Sequence, residues 1–142
     1  MRLRIFAEHR HAPNLKGMTP LVRKILKEEG KKADNISVVL VDDDYLWEVN
    51  RRFLYHDYKT DVISFDLGEK GAIDGEIYIS IDRAHSQAKR YRVSLEKEVL
   101  RLIVHGILHL SGWDDFTRSQ KLRMRKRENV FIQAFYREKK RG

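Results

Sequence analysis

Between Ser94 and Gly112 the chain reads Ser-Leu-Glu-Lys-Glu-Val-Leu-Arg-Leu-Ile-Val-His-Gly-Ile-Leu-His-Leu-Ser-Gly, and this stretch narrows the possible folds more than any other. Ser94 is a good N-cap, Glu96 and Glu98 fall in the first turn where the helix dipole favours acids, and Gly112 suits a left-handed helix end. A helix from about 95 to 111, roughly five turns, is predicted. Its second half carries Leu102, Ile103, Val104, Ile107, Leu108 and Leu110 and leaves almost no polar face, so the fold must place it at the centre. Two imidazoles on such a helix need partners. His105 and His109 are four apart, so their rings project from one face a turn apart, the spacing at which two imidazoles share one zinc ion. Past the Gly112 turn, Asp115 is close enough to return as a third ligand, with adjacent Asp114 as the alternative. Three ligands leave one tetrahedral position open to water, which marks a catalytic rather than a structural site.

The absence of cysteine removes disulfides and thiolate metal sites, and leaves His and carboxylate as the zinc ligands. It also points to a cytoplasmic setting. A chain of 142 residues suits one domain, 1–142, better than two. No stretch approaches the roughly 20 apolar residues of a membrane span, so no membrane partner is expected. The net charge of +8 is uneven: residues 118–142 hold ten Lys or Arg against Glu128 and Glu138, and the remainder balances. A basic stretch downstream of the metal residues suits a polyanion such as RNA, and the tail residues Lys139, Lys140 and Arg141 are expected to hold it.

Along the chain, residues 2–8 alternate as a strand, Thr19 and Pro20 start a helix ending at Gly30, and residues 35–42 form an inner strand. Asp43 is expected to cap a helix that buries Leu46, Val49 and Phe53, and a polar loop then leads into a strand ending at Phe65. Residues 75–81 alternate as a strand, and Asp82 caps a helix through Tyr91. The last helix, from about 117, is expected to bury Leu122, Val130, Phe131, Ala134 and Phe135. The order predicts an α+β fold: a mixed β-sheet packed with helices, the metal-binding helix innermost.

Three motifs in order then resemble one family. His105-Gly-x-Leu-His109-Leu-x-Gly112-Trp113-Asp114 is similar to the metal motif of the YbeY family of bacterial single-strand-specific metallo-endoribonucleases. Asn50, Phe53, Thr60, Asp61, Val62, Ser64 and Phe65 match its second motif, and Gly75-Glu-Ile-x-Ile-Ser with Gln87-Ala88 its third. Two positions depart: Asp115 stands where that family has a third histidine, and Leu54 where it has an arginine suited to hold phosphate. Arg51, Arg52 and Lys59 are the nearby cations that could take over substrate binding, and His56 is a further candidate catalytic residue. The resemblance implies one zinc per chain, bound by His105, His109 and Asp115 as the catalytic centre. It implies cleavage of single-stranded RNA, with precursor rRNA near the small-subunit 3′ end as substrate, the ribosome as partner, a part in ribosome quality control, and no DNA. Two other classes share some of these features. A zinc metalloprotease shares the ligand frame but carries its Glu base where this chain has Gly106, and a non-catalytic RNA-binding assembly factor would account for the basic tail.

Overall fold

The computed structural model describes residues 1–69 and 71–141. Its elements run β1 (Arg2–Ala7), α1 (Met18–Glu28), β2 (Ala33–Val41), α2 (Asp43–Leu54), β3 (Val62–Asp66), β4 (Ile73–Ser80), α3 (Ile81–Tyr91), α4 (Leu95–Leu110) and α5 (Arg118–Arg141). The four strands form one sheet in the order β1-β2-β4-β3. β1 and β4 each pair with β2 in parallel, and β3 runs antiparallel to β4 at the edge, so the sheet is mixed and the fold is α+β.

Alternation along the strands divides the core between the two faces. Ile36, Val38 and Leu40 of β2 and Ile77 and Ile79 of β4 join a large cluster with α1, α3, α4 and α5. Val41 and Ile63, with Val39, Phe65 and Tyr78 beside them, point the other way and pack against Leu46, Val49 and Leu54 of α2. α4 touches β3, β4, α1, α3 and α5, which is why its apolar residues extend around the whole helix. Where it crosses β4 the fit is close: a Cβ on Gly106 would lie 2.8 Å from Ile77 Cγ2.

Several expected helix starts and buried residues move. Asp42, not Asp43, caps α2, its carboxylate accepting the Tyr45 N–H at 2.7 Å. Ser80, not Asp82, caps α3 through the Arg83 N–H. α1 begins at the buried Met18 after a left-handed Gly17 (φ 80°), ahead of Thr19. Phe53 is exposed, its ring set edge-on to Phe65. Leu122 and Val130 are also exposed, because the inward stripe of α5 runs through Met124, Glu128, Phe131, Ile132 and Phe135. Each lies two residues, about 200° of helical turn, from a member of that stripe.

Candidate metal centre

Ser94 caps α4 by accepting the Lys97 N–H at 3.0 Å, and the helix then carries His105 and His109 on one face with ring centroids 4.8 Å apart. Beyond its end Gly112 adopts φ 107°, and the Trp113 N–H returns to the Leu108 carbonyl. Trp113 donates its indole N–H to Glu29, which also accepts from Arg127 at 2.8 Å, so the turn is pinned to α1 and α5. This geometry swings Asp115 back over the helix. Its Oδ1 lies 3.1 Å from His109 Nε2 and its Oδ2 3.4 Å from His105 Nε2. The three potential ligand atoms fall within 4.8 Å of one another, while the neighbouring Asp114 is exposed and outside the group.

A fourth residue orients the first imidazole. The Glu128 carboxylate, 1% exposed, accepts from His105 Nδ1 at 2.6 Å. A carboxylate there selects the Nδ1–H tautomer and leaves the Nε2 lone pair facing His109 and Asp115, the arrangement of a metal-ligating histidine. Glu128 is held in turn by Arg101, which also makes a paired contact with Glu98, and Glu98 accepts from Gln87 at 2.6 Å. Burial alone would lower the Arg101 pKa, but the hydrogen bonds and charges of Glu98 and Glu128 outweigh it and raise the guanidinium above its ordinary value. The only sequence signals for this network were Glu98 and Arg101 inside an apolar helix and Glu128 as the one acid between residues 118 and 137.

Two cavities meet at the cluster and share His105, Asp115, Asp61 and Val62. The wider, about 650 Å³, is walled by the loop after α2 and by Phe116. His56 reaches it, its Nδ1 3.0 Å from Tyr58 Oη and its ring stacked on Tyr58 at 5.2 Å. Buried Asn50 fixes that loop by donating to the Tyr58 carbonyl, and Leu54 lines the same wall without a charge. The narrower cavity, about 220 Å³, lies toward α5 and includes Tyr91, Lys121 and Arg125.

Arg51, Arg52 and Lys59 border neither cavity. Both arginines turn along α2 to Glu48, at 2.7 and 2.5 Å, and their hydrogen bonds and charges hold the Glu48 pKa below its ordinary value. Lys59 lies 3.6 Å from both Asp43 and Asp44. The tail is distant too. Eighteen residues of helix, about 27 Å, separate Lys121 from Lys139, and Lys139 pairs with Glu96 at 3.1 Å.

Comparison with known proteins gives one consistent result. A profile of the family described as Endoribonuclease YbeY matches residues 6–136. A protein named Endoribonuclease YbeY from Chlorobaculum parvum is 36% identical over 132 residues, covering 93% of this chain and 94% of its own. Another of that name from Flavobacterium psychrophilum is 38% identical over 115 residues, covering 81% of this chain and 82% of its own. Among solved structures, the solution structure of TM1509 from Thermotoga maritima aligns with a TM-score of 0.69 at 29% identity, over 97% of this chain and 91% of that one.

Proposed function

The chain belongs to the YbeY family of endoribonucleases, and from that premise we propose that it is a zinc-dependent enzyme cutting single-stranded RNA. The observation that carries the metal reading is the convergence of His105, His109 and Asp115 within 4.8 Å, with Glu128 on the far nitrogen of His105. Two neutral imidazoles and one carboxylate fit zinc's preference for nitrogen and oxygen donors, and the preset tautomer of His105 suits it further. A zinc ion held by His105, His109 and Asp115 would supply Lewis-acid chemistry toward a phosphodiester and toward water. The protein's own contribution is positional. Glu128 and Arg101 fix the His105 ring, and the Trp113–Glu29 bond holds the turn that presents Asp115.

Preference for single strands is supported by the wider cavity, where His56, Tyr58 and the 81% exposed Phe116 offer aromatic faces. Unpaired bases stack on such faces, whereas paired bases are closed to them. His56 is the side chain proposed to meet the scissile region from the α2–β3 loop, and Arg51, Arg52 and Lys59 are proposed for phosphates farther along the strand. Precursor rRNA near the small-subunit 3′ end, the ribosome as partner, a role in ribosome quality control and action in the cytoplasm follow from the family resemblance. The excess of positive charge on α5 suits such a partner. A protease reading lacks its Glu base, since position 106 is glycine, closely packed on Ile77.

The test is metal analysis joined to substrate choice. The purified protein is expected to hold about one zinc, and His105→Ala or His109→Ala to lose stoichiometric binding, because two remaining ligands rarely retain a catalytic ion. Asp115→Asn should weaken zinc far more than Asp114→Asn in a chelator competition. An unstructured oligoribonucleotide should be cut, and its duplex form and casein left intact. Full zinc retention in either histidine variant would overturn the site.

A further inference from the structure

Two basic side chains of α5 border the metal cluster and have no task in the site described above. Lys121 and Arg125 are four residues apart and so share a helix face, and Glu128, three residues on, brings that face to His105. Both line the narrower cavity together with His105 and Asp115. Their availability separates them from the other cations nearby. Arg101, in the same wall, is taken by Glu98 and Glu128. Among the described residues Lys121 has no carboxylate within ion-pair distance. Arg125 has only Glu128, at 3.8 Å, which is beyond hydrogen-bond reach and already engaged by Arg101 and His105. The Arg125 guanidinium lies over the Tyr91 ring, 5.6 Å from its centroid, which orients its plane while leaving the side chain 46% exposed.

An ammonium and an oriented guanidinium on one wall of a polar cavity suit a tetrahedral oxyanion more than any neutral group. The remaining acids of that wall do not oppose this equally: Asp115 faces the two histidines and Glu128 is tied up, which leaves Asp61 as the one carboxylate facing the pair. We infer that Lys121 and Arg125 form a phosphate subsite beside the metal centre that takes the phosphodiester next to the one being cut. The inference rests on the ribonuclease reading of the same site. It also gives the strand a path. Bases lie in the wide cavity at His56, Tyr58 and Phe116, the chain crosses the cluster, and the next phosphate enters the narrow cavity under α5.

The experiment measures affinity for an unstructured oligoribonucleotide against salt, using wild type, Lys121→Ala/Arg125→Ala, Lys121→Ala alone, and Arg51→Gln/Arg52→Gln. Loss of two phosphate contacts on a single strand should lower the slope of log affinity against log salt by about 1.4, and loss of one by about 0.7. The affinity of the double variant should fall roughly tenfold or more, with zinc content and the circular dichroism spectrum unchanged. A neutral methylphosphonate is then placed on either side of the bond that wild type cuts. Wild type should lose affinity at one of these positions, and the double variant at neither. An unaltered slope in Lys121→Ala/Arg125→Ala, or methylphosphonate losses equal to those of wild type, overturns the subsite while leaving the ribonuclease reading standing. A slope change in Arg51→Gln/Arg52→Gln with none in Lys121→Ala/Arg125→Ala overturns it in favour of α2. Failure of wild type to bind or cut the oligonucleotide takes down both.

Discussion

Glu128 connects a charge buried in the core to a ring that faces the proposed metal site. With 1% of its surface exposed it contacts the Arg101 guanidinium at 3.3 Å and the His105 imidazole at 2.6 Å. Removing one partner of a buried ionic group costs more than the group itself contributes, because the survivors stay desolvated. Arg101 would still keep Glu98, so Glu128→Ala is expected near the low end of such losses, about 3 kcal/mol, in urea unfolding of the metal-free protein. Zinc affinity should drop by roughly 10- to 100-fold as His105 loses its tautomer partner. Glu128→Gln preserves volume and one acceptor and should lie between wild type and Glu128→Ala on both measures. Equal zinc affinity in all three proteins would mean that His105 is oriented by packing alone. None of this was legible locally. The residue that selects the tautomer is 23 positions from the histidine, and no helical or strand period links separate elements.

At the scale of elements, the turn after α4 decides where Asp115 lies. Gly112 holds φ 107°, a region that is difficult for residues with a Cβ, and a methyl group there would meet nothing within 4 Å. The cost of Gly112→Ala is therefore purely conformational, about 2 kcal/mol, read as a shift in the denaturation midpoint. Zinc affinity should fall with it, since the strained turn relaxes by moving the loop that carries Asp115. An affinity equal to wild type would show that the Trp113–Glu29 anchor alone positions the loop. Much of this element was readable beforehand: the Ser94 cap, the apolar run, the histidine pair and the glycine are all short-range signals. What the spacing could not decide was which adjacent acid turns inward, because that depends on the anchoring of Trp113 by a residue 84 positions away. The same limit explains Phe53, whose α2 period fits burial but whose helix ends beside the edge strand, where no further layer covers it.

For the molecule as a whole, the uneven charge divides into two ends of one helix. Six of the ten basic residues after position 117 lie between Arg118 and Arg127 at the metal end, and four between Arg137 and Arg141 at the other. The sequence count could register the excess but not that α5 is a single helix of 24 residues, antiparallel to α4, which separates the two groups. The proposed metal site sits on a scaffold in which α4 is buried among three helices and two strands, an apolar core that does not draw on the candidate ligands. Chelation is therefore expected to leave a cooperatively unfolding protein. The stability lost should be only what mass action gives, about 2.7 kcal/mol for an ion present at 100 times its dissociation constant. A chelated chain with no thermal transition would show instead that the ion is part of the fold, as in small zinc domains.

The Arg101–Glu128–His105 chain carries that argument one step further. It clamps the His105 ring through Nδ1, so that at the proposed metal site this ligand is expected to keep its pose whether or not an ion is bound. Loading then requires no search among rotamers by His105. Metal exchange at the proposed site is then expected to be a local event, set by the seven-residue turn 111–117 rather than by unfolding, so that a depleted enzyme would return to service without being rebuilt.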